Sequence, residues 1–430
     1  MQSYRVITAL IAMSVLAGPS LAANAPLTLA EAQRRAVERS LQVVAQDAAV
    51  TASRHMAVAA AQLPDPMLRA GIDNLPVTGP DKFSLGNDFM TMRRIGVMQE
   101  LTRGEKRRLR SERFTLEAEK SLAEKTGTIA QIQRDTALAW LDRYYAEQMR
   151  VVLDQMVQDT QALIGAAEAA YRGGRGSQAD VLTARAALIG LEDRRSQLDR
   201  QLRTAKIALA RWIGPEAERA LQGPPPDFGI LSLDIARLDE ELQHHPVLGA
   251  LAQQVALAET EVRLARTATQ PDWSVELAYQ QRGPSFSNMV SIGVSIPLPI
   301  APAERQDRDV AAKLAMAEQA RAQFDDALRM HTAEVRAMIA EWETGRDRLR
   351  RIETELMSLA AQRSDAALAA YRGNTGTLSA VLEARRNESD TRVQALQLAA
   401  DTARVWAQLN FLVPKHESSN TSVDAGRRSK

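Results

Sequence analysis

Hydrophobic positions along this chain change period several times, and the changes come in the same order twice. From Leu27 to Gln62 apolar residues recur at helical spacing, with Thr28 three residues before Glu31 as a capping box. Pro64 and Pro66 end that helix. Two runs of strand character follow, Met67–Leu75 and Met92–Leu101, around a Gly-, Pro- and Asp-rich loop at Pro76–Asp88. No proline interrupts Arg103 to Tyr171, which predicts one helix of roughly 100 Å at 1.5 Å per residue. Gly173–Gly176 then reverses the chain into a helix ending near Trp212 to Pro215. After Gly223-Pro224-Pro225-Pro226 the order repeats. A helix is predicted at Pro246–Thr267, strands at Trp273–Gln281 and Asn288–Leu298, and a long helix at Pro302–Tyr371. A turn at Gly373–Gly376 and a last helix ending near Leu412 complete the plan.

The strands alternate. Trp273, Val275, Leu277 and Tyr279 share one face against Ser274, Glu276, Ala278 and Gln280. Val290, Ile292, Val294, Ile296 and Leu298 oppose Met289, Ser291, Gly293, Ser295 and Pro297, and Leu68, Ala70 and Ile72 oppose Arg69, Gly71 and Asp73. The second strand is mixed, because Ile95 and Val97 share a face with Arg93 and Gln99. Runs of this length and pattern fit two situations equally: a tilted strand with lipid outside and water inside, or a soluble β-domain packed on a core. Four strands cannot close a membrane barrel, and an open edge is not tolerated in lipid. In a membrane, three copies would therefore have to pool twelve strands.

The long helices carry heptads. Leu328, Val335, Trp342, Leu349 and Leu356 recur every seventh position, with Met338, Ile352 and Leu359 three residues on. A weaker seam runs through Leu109, Leu116, Ala123, Ala130, Ala137, Tyr144 and Val151. Taken alone, the helices fit a coiled-coil rod or helical bundle with no further role as well as they fit a functional assembly.

The two halves match in detail. AAYRGGRGSQADVLTAR at Ala169–Arg185 returns as AAYRGNTGTLSAVLEAR at Ala369–Arg385, and the Pro-Asp of QLPDPMLRAGI (Gln62–Ile72) returns in QPDWSVELAY (Gln270–Tyr279). A tandem duplication of about 200 residues is too long a period for a solenoid. The expected organisation is a first unit at 23–222, a linker at 223–233, a second unit at 234–413 and a disordered tail at 414–430. Residues 1–22, with Arg5, an apolar run from Val6 to Ala17 and Ser20-Leu21-Ala22, have the layout of a cleaved secretory signal peptide. No later stretch has eighteen consecutive apolar residues.

Composition narrows the chemistry. The 430 residues are 45% hydrophobic and 4% aromatic, with 54 basic against 53 acidic side chains. That balance leaves no electrostatic footprint for nucleic acid. With no cysteine, disulfides, thiolate metal sites and cysteine nucleophiles are excluded. No Walker phosphate loop or dinucleotide fingerprint is present, no catalytic constellation stands out, and no enzyme activity or cofactor is expected. Histidines 55, 244, 245, 331 and 416 are scattered, and the adjacent His244-His245 pair lacks a clear third ligand, so no metal site is assigned. Met90, Met92 and Met98 flank a strand, where core or lipid contact is expected of them rather than copper binding.

On the duplication, the two Tyr-Arg-Gly turns followed by Val-Leu-x-Ala, the paired strands and the long helices, the chain resembles the TolC family of outer-membrane efflux proteins. DPMLRAGIDNLP (Asp65–Pro76) and GVMQELTRGEKR (Gly96–Arg107) are most similar to its heavy-metal (CzcC/CusC-like) branch. The resemblance implies a mainly α fold with a small β part: a homotrimer with four strands per chain in a twelve-stranded barrel in outer-membrane lipid, above a helical tunnel crossing the periplasm of a Gram-negative bacterium. It further implies a passive duct of a tripartite RND-type efflux system, met by a periplasmic adaptor (membrane fusion) protein and an inner-membrane pump. The lipid-facing residues would be Trp273, Val275, Leu277, Tyr279, Val290, Ile292, Val294 and Ile296. The adaptor-docking turns would be Tyr171, Gly173 and Gly176 with Tyr371, Gly373 and Gly376. Asp180 and Glu383 would form an acidic ring at the inner mouth, although Ala380 stands where the family has another acid. Metal cations are the expected cargo. Drug efflux and type I protein secretion remain open within the family, and a periplasmic coiled-coil scaffold or adaptor is the alternative of a different class.

Overall fold

The computed structural model describes residues 25–412, apart from 232, 234 and 244. The signal peptide expected at 1–22 and the tail at 414–430 lie outside the described residues. In chain order the elements are α1 (Leu29–Glu38), α2 (Leu41–Ala60), β1 (Met67–Asp73), β2 (Met92–Leu101), α3 (Gly104–Arg172) and α4 (Gln178–Ile213). There follow α5 (Leu238–Gln243), α6 (Pro246–Thr267), β3 (Trp273–Gln281), β4 (Met289–Ser295), α7 (Gln306–Arg351), α8 (Met357–Arg372) and α9 (Leu378–Asn410). None of the described helices is long and apolar enough to cross a membrane.

The boundaries have local causes. The helix expected over Leu27–Gln62 is two helices, because Ser40 is extended and its hydroxyl accepts from the Val43 amide, starting α2 afresh. β1 stops at Asp73, two residues short of expectation, where Asn74 turns to a φ of 56°. β4 stops at Ser295 because Pro297 and Pro299 have no amide to donate. The second long helix is also interrupted, by a π-turn at Ile352–Leu356 between α7 and α8. That turn breaks the heptad phase: Val335, Trp342 and Leu349 are buried, whereas Leu356 and Leu359, expected on the same seam, are exposed. Ile339, not the expected Met338, fills the intervening core position.

The described chain forms two compact units, each drawing segments from both halves of the sequence. One comprises 25–36, 136–227 and 359–396. Its core includes Leu27, Leu29, Trp140, Leu209 and Ile213, and the indole Nε1 of Trp140 donates to the Leu27 carbonyl at 3.3 Å. The other comprises 37–135, 228–358 and 397–412, and contains the sheet. There Ala258 and Val262 of α6 pack on Ala317 and Ala320 of α7, small residues that let the helices approach closely. Trp342 donates to the Phe228 carbonyl at 2.9 Å and Trp406 to that of Ile230 at 2.8 Å.

Candidate channel wall and turns

The four strands form one antiparallel sheet in the order β1-β2-β3-β4. Register assigns every side chain to a face. One face carries the rows Leu68–Val97–Leu277–Ile292 and Ala70–Ile95–Tyr279–Val290, flanked by Gln99–Val275–Val294 and Leu101–Trp273. These residues are largely exposed, with Ile292 at 75% and Val290 at 66%. Ile296, just beyond β4, is exposed as well. All eight side chains expected on an outward apolar face therefore belong to one contiguous surface or its margin.

The mixed character of β2 is resolved by position. Arg93 stands at the loop end of the apolar face, opposite Ile72 and Gln281, and Gln99 near the other end, with Ile95 and Val97 between them.

The opposite face is polar. Glu276 receives Arg94 at 2.6 Å and Arg69 at 3.5 Å, Arg94 also reaches Asp73 at 3.7 Å, and Ser291 donates to Gln280 at 2.8 Å. Gly96 leaves no room for a side chain: a Cβ there would sit 2.8 Å from that of Ala278. Met92 and Met98 lie on this polar face, Met98 between Met67 and Glu276 in register. Of the core or lipid contact expected of them, the register excludes a place on the apolar face, while both side chains are half-buried beside polar neighbours. Met90 is exposed in the loop before β2.

The two turns are near copies. In the first, Gly173 donates to Ala169, Gly174 to Tyr171, and Arg175 and Gly176 to Ala170. In the second, Gly373 donates to Ala369, Asn374 to Tyr371, and Thr375 and Gly376 to Ala370. Gly174 and Asn374 take the same left-handed conformation, at φ 69° and 57°. Gly176 and Gly376 are required by space, because an added Cβ would lie 3.1 and 3.0 Å from the Cβ of Ala170 and Ala370. Ala167, Val181, Ala184 and Leu378 form a small core there, with Tyr371 and Leu382 packed against it.

The acidic pair sits on these turns in unequal roles. Asp180 completes a capping box, accepting from the Ser177 amide at 3.1 Å and hydroxyl at 2.7 Å while its own amide donates to the Ser177 hydroxyl at 3.1 Å. Glu383 points to solvent, with a loose ion pair to Arg363 at 3.8 Å. At Ala380 the second turn keeps only the Thr377 cap, at 3.3 Å. Among the described residues no group of three or more His, Asp or Glu is arranged to hold a metal ion.

Comparison with known proteins agrees with this architecture. Residues 238–413 match the outer membrane efflux protein family model, a family of transport channels and not of enzymes. No curated relative matches the chain. Among solved structures, the outer membrane protein VceC of Vibrio cholerae aligns over 89% of this chain and 95% of its own, with 18% identity and a TM-score of 0.73. The outer-membrane channel OprN aligns over 90% of both chains, with 16% identity and a TM-score of 0.75. CusC, described in terms of transmembrane channel formation, aligns over 89% of this chain and 91% of its own, with 15% identity and a TM-score of 0.75. The chain thus has the protomer fold of outer-membrane channels, and its second half carries the sequence pattern of outer membrane efflux proteins.

Proposed function

We propose that three copies of this chain pool their sheets into a twelve-stranded outer-membrane barrel, the outer part of a passive export duct for heavy-metal cations. The observation that carries this reading is the open four-stranded sheet with one exposed apolar face and one polar face. Each large apolar side chain that leaves water there contributes about 1.5–3 kcal/mol, which favours burial in lipid. The unpaired edges of β1 and β4 need partners in a membrane, and a neighbouring copy supplies them. Energy and cargo selection come from an inner-membrane pump, reached through an adaptor docked at the turns around Tyr171 and Tyr371. The metal assignment is supported by the phrases at Asp65–Pro76 and Gly96–Arg107.

At the inner mouth, three copies of Asp180 and Glu383 would make a carboxylate ring that attracts cations and disfavours anions. Replacing Glu383 by Gln and Asp180 by Asn keeps size and much of the capping, and is expected to shift reversal potentials in bilayer recordings toward non-selectivity. Unchanged potentials would dismiss the ring.

The primary test is the native mass of the protein extracted from outer membranes. Three chains held in detergent are expected, and a monomer soluble without detergent would overturn the duct. Deleting the gene is then expected to sensitise cells to divalent metals. Sensitivity confined to organic drugs would reassign the cargo while leaving the duct intact.

A further inference from the structure

One cluster outside the sheet and turns is unaccounted for by the duct. His245 caps the start of α6 and is nine-tenths buried, at 8% exposure. Its backbone is satisfied: the amide donates to Leu242 and the carbonyl accepts from Gly249, both at 2.9 Å. Its side-chain Nδ1 is enclosed and has no hydrogen-bond partner. A buried imidazole nitrogen left unpaired is destabilising, so such an atom calls for an explanation.

Across from it, on α7, stands His331. The two ring centres are 4.9 Å apart and the ring planes are tilted by 37°, neither a parallel stack nor an edge-on contact. The separation is informative. Two imidazoles bound to one ion at about 2.0–2.1 Å, with a near-tetrahedral angle between them, hold their ring centres about 5 Å apart. One nitrogen of His331 is already engaged, since its Nδ1 is 3.2 Å from the carboxylate of Glu334 one helical turn on. A carboxylate at Nδ1 leaves Nε2 as the nitrogen through which such a histidine would bind an ion, the carboxylate–histidine arrangement that supports bound metals.

We infer that His245 and His331 form a binding site for one divalent transition-metal ion of the zinc type, with Glu334 orienting His331 and water completing the coordination. The ion would tie the start of α6 to the middle of α7, two elements otherwise joined by the small-residue packing of Ala258 and Val262 on Ala317 and Ala320. This site holds or fails independently of the export reading.

The test is titration of tag-free, metal-stripped full-length protein with Zn2+ at pH 7, by calorimetry and by thermal midpoint. One ion per chain, with an upward shift of the midpoint, is expected. His331→Ala, on a partly exposed ring, and His245→Ala should each abolish it, and Glu334→Gln should weaken it roughly 10–100-fold. If His245→Ala fails to fold, His331→Ala and Glu334→Gln together decide. His244→Ala should bind as the wild type does. No Zn2+ uptake by the wild type, uptake retained in either folded histidine variant, or loss only with His244→Ala would overturn the site and leave the pair as packing.

Discussion

Leu27 and Phe228 stand at matching points of the two halves and are held by the same bond in different surroundings. Trp140 grips the first carbonyl from full burial, its ring stacked on Tyr144 at 5.5 Å and 5°. Leu27 also bridges to Leu221, and Arg219 fastens the neighbouring chain through the Ala25 carbonyl, Glu31 and Glu216. Trp342 grips the second carbonyl under a polar cover, with the Arg346 guanidinium 4.5 Å from its ring centre. The turns show the same division: identical backbone bonds, and a capping box in one half against a single hydroxyl cap in the other. Duplicated segments have kept their backbone connections, while the side chains around them have diverged.

The sharpest way to break that comparison is to truncate the two indoles. Trp140→Ala is expected to cost about 3–5 kcal/mol, with Trp342→Ala at the low end of that range because part of its contact is a charged cover. Unfolding followed by helical circular dichroism reads both, and equal losses would make the surroundings irrelevant. Next in size are the turn glycines. Gly176→Ala and Gly376→Ala should each cost about 1–3 kcal/mol through the contact with Ala170 or Ala370. Gly190→Ala, in open space within α4, should instead gain about 0.5–1 kcal/mol.

Smaller still is the capping difference. Asp180→Ala should cost about 1 kcal/mol, and Ala380→Asp should return a gain of up to that size to the second turn. The smallest effect is one of pH at the first junction. Hydrogen bonding from Arg219, with its charge and that of Arg35, holds the Glu31 carboxyl below its ordinary value against the opposing effect of burial. A depressed carboxylate stabilises the fold above its unfolded value of about 4.3, and that contribution is lost as pH falls through the lower folded value. Glu31→Gln should therefore lower the thermal midpoint at pH 7, with the gap to wild type closing in strong acid.

Features generated by nearby residues are legible in the order of the amino acids. Trp273–Gln281 is a strand with the bounds its alternation predicts, and Pro246–Thr267 a helix with those set by its proline and periodicity. Both glycine turns fall where their residues place them. The pattern misleads where a break is made by one side chain, as at Ser40, or by one extra residue in a turn, as at Ile352–Leu356. Heptad spacing continues across a π-turn unchanged on paper, but the helix face rotates and Leu359 leaves the seam at 61% exposure.

What the sequence determined by itself was period and punctuation, because alternation, capping and proline act over a few residues. It therefore settled the strands, the long helices, the duplicated turns and the class of fold. Tertiary structure decided which distant residues meet. Pairing across β2 and β3 sent Met98 to the polar face and gave Glu276 its two arginines. Packing of the helices brought His331 against His245, far from it in the chain, where the sequence offered only His244 as a neighbour. Such meetings depend on registers and helix rotations summed over the whole fold, and no local pattern encodes them.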